Sequence, residues 1–301
     1  MAKPHFLANR WIIAALCGVA MLVSGCSALR IGYSQAPDLV YWWLDGYVDW
    51  TSAQTPRVRA ALTQWFAWHR RTQLPDYAVL LTRAQTEVLA DTTAARACEW
   101  QVDIVKRASI AFEQAVPAAA DILLTITPQQ IAHLERRYAK NNEEFRDDYL
   151  QPDLGKRAEL TLKRTVERAE MLYGRLDDAQ RARMTLALAR SPFDPEAWFA
   201  ERRQRQQEVL QLLRSVVAGG ASREQVQAGL RAYADHVQRS PQEAYRRYSE
   251  RLMEFNCGFA ATLHNGTSAA QRRAAAKTLA GWEGDVRALV ASAAAAVDHN
   301  N

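Results

Sequence analysis

The stretch TPRVRAALTQWFAWHR, residues 55–70, decides the fold class. Val58, Ala61, Leu62, Trp65 and Trp68 recur at three- and four-residue spacings, the signature of one apolar helix face. Thr55 is placed to cap this helix, and Pro56 takes its first position, where a missing N–H costs nothing. Tyr77, Leu80, Leu81, Ala84 and Val88 repeat the period. So do Ile131, Leu134, Tyr138, Phe145 and Tyr149, with Asn141 and Asn142 interrupting the stripe as register-setting polar residues. Strand signals are nearly absent beyond residue 35.

Breaks fall at Thr92-Thr93, Pro117, Thr127-Pro128, residues 151–155, Ser191-Pro192, Gly219-Gly220, Ser240-Pro241 and His264-Asn265-Gly266. They divide the chain into roughly ten to twelve helices. Short connections favour antiparallel neighbours, so the expectation is an all-α multi-helix bundle or a curved array of helical hairpins. Residues 37–298 form the helical domain, with the candidate subdomain break near 151–155. No fixed repeat period emerges.

Four helix starts fit S/T-x-x-E/Q: Thr127–Gln130, Ser222–Gln225, Ser240–Glu243 and Ser268–Gln271. Each predicts a capping box, in which two side chains satisfy two orphan amides reciprocally. Ile126-Thr127-Pro128-Gln129-Gln130 also resembles the L-T-x-x-Q motif of Spy-like periplasmic chaperones, which are small and all-helical. Leu176-Asp177-Asp178-Ala179-Gln180 is a poorer second match.

The amino terminus carries an address. Lys3 and Arg10 precede the uncharged apolar run from Trp11 to Val23, and small residues follow. Val23-Ser24-Gly25-Cys26 resembles the lipobox of bacterial lipoproteins. The resemblance implies a signal peptide over 1–25, a thioether-linked diacylglyceryl group on Cys26, and a lipidated tether over 26–36. Ser27, in place of an aspartate, implies outer-membrane sorting with the body facing the periplasm. Two other readings stay open: ordinary cleavage nearby, or a span over Trp11–Leu29, since ~20 apolar residues cross a bilayer.

Removing residues 1–25 removes Lys3 and Arg10 and no acid, leaving 36 basic and 33 acidic side chains, a formal +3. That balance gives no argument for a nucleic-acid partner. Beyond Cys17 and Cys26 only Cys98 and Cys257 remain. They form either a disulfide permitted by an oxidising compartment or two buried thiols. No CxxC pair exists, and His69, His133, His236 and His264 lack ligand spacing, so neither a metal site nor a cofactor is expected.

The chain holds no G-x-S-x-G, no H-E-x-x-H and no glycine-rich phosphate loop. Glu143 and Asp147 share a helix face but read as solvated charge beside several arginines. Arg190-Ser191-Pro192-Phe193-Asp194 resembles part of the R-x-x-F-D motif of membrane-anchored lipase foldases, though Asp194 ahead of Pro195 also reads as a local helix cap. Residues 201–208, ERRQRQQE, carry no apolar side chain over two turns. Such a segment either bridges solvent or lines a polar cleft, which makes Arg202, Arg203 and Arg205 the candidate polar contact site.

APDLVYWWLDGYVDW (36–50), WHRRTQLPDYAVLL (68–81) and SPFDPEAWFAERRQRQ (191–206) resemble a family of Gram-negative lipoproteins without known activity. The resemblance implies a lipidated helical envelope protein and carries no site residues. A non-enzymatic binding protein for another envelope component is therefore expected, with a membrane-tethered holdase as the alternative. Within the first stretch, Leu39, Trp43, Gly46, Tyr47 and Trp50 share a face with Trp42 beside it. The expectation is that these rings pack as core against Trp65 and Trp68; the competing reading places them against lipid headgroups.

Overall fold

The computed structural model describes residues 28–298, with side chains to residue 292. The expected signal peptide over 1–25 and the expected lipidation site Cys26 lie outside the described residues. Eleven helices and no strand are present among the described residues, so the all-α expectation holds. They are α1 (Ala28–Val48), α2 (Thr55–Thr72), α3 (Leu74–Glu87), α4 (Ala94–Leu123), α5 (Pro128–Tyr149), α6 (Leu154–Tyr173), α7 (Asp178–Leu188), α8 (Pro195–Val217), α9 (Arg223–Gln238), α10 (Glu243–Asn265) and α11 (Ala269–Asp298).

Several local expectations are corrected. Within the stretch expected as a lipidated tether, residues 28–36 are helical, because α1 begins at Ala28 and runs through Pro37. Tyr33 holds it down, with its ring edge-on to Phe66 at 5.7 Å and its hydroxyl 2.8 Å from His69 Nδ1. Thr55 is not a cap: its hydroxyl turns back to the Thr51 carbonyl at 3.1 Å and meets Tyr41 at 3.0 Å. Pro117 does not end a helix either. It sits inside α4, where Val116 and Ala120 are fully enclosed and packing outweighs the lost amide bond.

Two 30-residue helices organise the rest. α4 is packed by α2, α9 and α10, whereas α11 returns along α3, α6, α2 and α1. Helix α8 lies between α5 and α9, and α7 bridges α6 and α10. Apolar burial is spread over four small clusters instead of one large core. The largest joins Ala120, Ile131, Leu134, Leu210, Leu213 and Val226 from α4, α5, α8 and α9. Leu74 and Ala78 meet Val286 and Leu289 between α3 and α11. Tyr173 meets Ala275 and Leu279, and Val166 and Ala169 meet Met184. Val58, Val116 and Val226, on three different helices, are among the most completely enclosed side chains of the described residues.

Polar ties bind these clusters. Cys98 of α4 and Cys257 of α10 form a disulfide with Cα atoms 5.3 Å apart. Trp65 donates its indole N–H to the Ala111 carbonyl at 2.9 Å, fixing α2 on α4. Glu283 of α11 accepts from Thr82 and Gln85 of α3 and from Arg287. Hydrogen bonds from Gln85, Arg287 and Thr82 push its carboxyl down to about 2.

Capping boxes form at Thr127–Gln130, Ser222–Gln225 and Ser268–Gln271, as expected. Ser240–Glu243 forms none, because the N-cap of α10 falls two residues further on, at Gln242, with no side-chain cap. Two others were not foreseen: Asp177–Gln180, and Thr51–Gln54 ahead of α2. Four of the boxes dock in pairs. Gln54 and Gln130 exchange amide hydrogen bonds, and Gln180 and Gln271 do the same.

Candidate functional site

The site is built on the first turns of α8 and the last turns of α5. Asp194 caps α8 by accepting from the amides of Glu196 and Ala197 at 2.9 and 3.0 Å, ahead of Pro195. The Tyr248 hydroxyl holds this corner, accepting from the Asp194 amide at 3.0 Å. Local capping thus accounts for the R-x-x-F-D likeness. From that start Phe199 is directed inward and is buried.

The charged run 201–208 does not bridge solvent. It sits between helices, and the three arginines of the candidate contact site part company. Arg202 faces α5, donating to Asn142 Oδ1 at 3.0 Å and lying 5.7 Å from the Phe145 ring centroid. Asn142 also donates to Gln206 at 2.8 Å, and Asn141 donates to the Tyr47 hydroxyl at 2.7 Å. Both asparagines therefore lock α5 to its neighbours, as their place in the stripe suggests. Arg205 faces α9 and α10, bonded to Glu201 at 3.2 Å and to the Val237 carbonyl at 3.3 Å. Only Arg203 faces solvent.

Arg203 lines a groove of about 450 Å³ with Arg146, Leu150, Glu196, Phe199 and Ala200. Beneath it aromatic rings are layered. Phe145 stacks on Phe199 at 5.4 Å and on Tyr149 at 4.7 Å. The Arg146 guanidinium lies 5.0 Å from the Phe199 centroid, and Arg164 lies 4.4 Å from that of Tyr149. Among the described residues neither Arg146 nor Arg203 has an ion-pair partner. Two free guanidinium groups over an aromatic floor suit an acidic group attached to an apolar or aromatic body. A second cavity, between α7 and α10, has about 30 Å³, room for a water.

In the sequence Phe145 reads only as part of a helix stripe and Arg146 only as one of the arginines beside Glu143 and Asp147, since nothing there places them against residues more than fifty positions away. The buried Glu201 was equally hidden. Its side chain is 3% exposed, and its Oε2 has no hydrogen-bond partner. Near this polar seam, burial raises the hydroxyls of Tyr138, to about 12, and of Tyr233 and Tyr245. Glu143 and Asp147 are exposed on α5 and take no part. No group of three or more His, Cys, Asp or Glu positioned to hold a metal ion occurs among the described residues.

Leu39, Trp42 and Trp43 are not core, contrary to expectation. Their positions are 59%, 62% and 61% exposed. The inward face of α1 is taken by tyrosines whose hydroxyls find partners, Tyr33 on His69, Tyr41 on Thr55 and Tyr47 on Asn141. Trp65 instead stacks on His69 at 4.9 Å.

No curated protein and no solved structure matches the chain. Residues 46–227 match the model of a family of unknown function, DUF6279, a span that holds the whole groove but only the last residues of α1. That span is 182 of the 301 residues, and the chain belongs to this family of unknown function (DUF6279).

Proposed function

We propose that the protein is a lipid-anchored, non-enzymatic binding protein of the bacterial outer membrane, with its helical body in the periplasm. The groove between α5 and α8 receives an acidic segment of another envelope component. The observation that carries this reading is the pair of arginines, Arg146 and Arg203, left without ion-pair partners over the Phe145–Phe199 stack. The two arginines of residues 201–208 that face inward are committed, Arg202 to Asn142 and Arg205 to Glu201. The anchor rests on Val23-Ser24-Gly25-Cys26 behind the apolar run 11–23. No helix among the described residues is long and apolar enough to cross a membrane.

A photocrosslinking side chain at Ala200, in the groove wall, tests the reading in living cells. One discrete adduct is expected, lost when Arg203→Glu is added. A ladder of unrelated adducts favours the tethered holdase, and no adduct in any growth condition defeats both. Mass spectrometry of the same protein tests the anchor: an unmodified Cys26 in the mature chain refutes it.

A further inference from the structure

We propose that the outward face of α1 is a lipid-binding surface and that the helix lies flat on the membrane. The face runs through Ile31, Gln35, Leu39, Trp42, Trp43 and Gly46, all exposed, with no charged residue among them. These positions recur at three- and four-residue steps, so they form one stripe along the helix. Ile31 is 54% exposed, and the two tryptophans are more exposed still. Isolated apolar residues on a surface need no explanation, but a continuous uncharged stripe ending in paired tryptophans does.

Its chemistry fits the boundary between headgroups and acyl chains, where tryptophan is enriched and amphipathic helices lie in the plane. The aspartates of α1 do not stand in the way. Asp38 borders the stripe one turn before Trp42 and its side chain is 59% exposed, but its charge is paired with Arg59; Asp45 accepts from the Trp50 amide at 2.9 Å. Arg59 itself stands over the Tyr41 ring and within 5.5 Å of the Trp42 centroid, bringing a cation to the edge of the stripe.

Orientation follows from the length. The 21 residues of α1 make a rod of about 31 Å, and Ile31 to Trp43 spans about 18 Å of it. A helix standing upright would lift the tryptophans clear of the surface. Lying flat, it engages the entire stripe at once. The inference rests in part on the anchor at Cys26, two residues before α1. An acyl group there holds the stripe at the surface, so a weak contact becomes an intramolecular one. A second copy of the chain fits less well. The stripe offers on the order of 500 Å², against ~800 Å² per partner in a stable dimer.

The test uses the acylated mature protein in phosphatidylethanolamine–phosphatidylglycerol vesicles, with and without brominated lipid. Shallow quenching of tryptophan emission is expected, removed by Trp42→Ser with Trp43→Ser. Both rings are exposed, so the unfolding midpoint should not move. The mature chain carrying Cys26→Ser should float weakly with the same vesicles, and the double substitution should cut its bound fraction about tenfold. Acylated protein without quenching overturns the stripe and leaves the anchor intact. Quenching in wild-type protein whose Cys26 proves to be unacylated overturns the anchor and leaves the stripe intact. A lipid-free dimer dispersed by the same two substitutions also overturns the proposal, assigning the face to a second copy.

Discussion

Gln54 and Gln130, 76 residues apart, close a reciprocal clamp between the starts of two helices. Each amide oxygen accepts from the backbone of its own capping box, at Thr51 and Thr127. Each amide nitrogen donates to the other glutamine, at 3.2 and 2.8 Å. It also donates to a carbonyl two residues before the partner's box, Thr125 for Gln54 and Asp49 for Gln130. Gln180 and Gln271 repeat every element, with Gly266 and Arg175 supplying the carbonyls. One physical device thus ties α2 to α5 and α7 to α11.

Gln130→Ala removes the reciprocal half of a box and leaves the Gln54 amide and the Asp49 carbonyl short of partners in a buried setting. A loss of about 2–3 kcal/mol is expected, read from urea unfolding. Gln54→Ala combined with Gln130→Ala should cost clearly less than the two single changes together, since each single change strands the same partners. Strict additivity would show that the clamp is only a pair of independent caps.

The disulfide gives a second prediction. Cys98 and Cys257 close a loop of 159 residues. The chain-entropy estimate for a loop of that size is about 5 kcal/mol, and native strain or residual structure reduces what is realised. Reductant, or Cys98→Ser with Cys257→Ser, should lower the urea midpoint by an amount corresponding to about 2–5 kcal/mol. Free thiols in peptide maps of protein taken from its native compartment would remove the premise.

Helix existence and faces were legible because period and punctuation are local properties. The stripe from Val58 to Trp68, the Asp194 cap and three capping boxes could be read from spacing alone. What spacing cannot carry is the choice between two faces of comparable apolarity. On α1, tyrosine and tryptophan faces compete, and tyrosine wins the interior because His69, Thr55 and Asn141 supply hydroxyl partners from distant segments. Pro117 misled for a related reason, since enclosure of Val116 and Ala120 is a tertiary fact. The groove escaped because Arg146 and Arg203 meet only after α5 and α8 dock.

His69 gives a pH dependence. Its ring is buried, with Nδ1 2.8 Å from the Tyr33 hydroxyl and Nε2 3.3 Å from that of Tyr77. Burial holds its pKa below the ordinary 6.5. Around its two hydroxyl partners, Arg70 acts on Tyr33, and Arg107 and Asp76 act with opposite sign on Tyr77, so burial is what sets the direction for His69. The neutral form belongs to the folded state, while the unfolded chain takes up a proton first as pH falls. The contribution is therefore complete above about 6.5 and is lost as pH drops from there through the folded value. Unfolding free energy should fall between about pH 7 and pH 5, and His69→Phe should flatten that part of the profile. An unchanged slope in the variant would assign the dependence to another group.

The last prediction concerns Glu201 and Arg205. The carboxylate is almost fully enclosed, one oxygen on Arg205 and the other without a partner, while the guanidinium remains 20% exposed. The desolvation of such a pair is large and its Coulombic gain only offsets it, so the pair as a whole contributes little net stability. Removing one member is different. Arg205→Met strands a buried carboxylate and should cost about 3 kcal/mol. Adding Glu201→Met to that variant should recover most of the loss, because the two thioethers can fill the space between α8 and Tyr245 without any charge to solvate. Urea unfolding of the wild type, Arg205→Met and the double variant decides it. If the double variant is less stable than Arg205→Met, the pair is a true source of stability and the enclosed oxygen is satisfied in solution by a group such as a bound water.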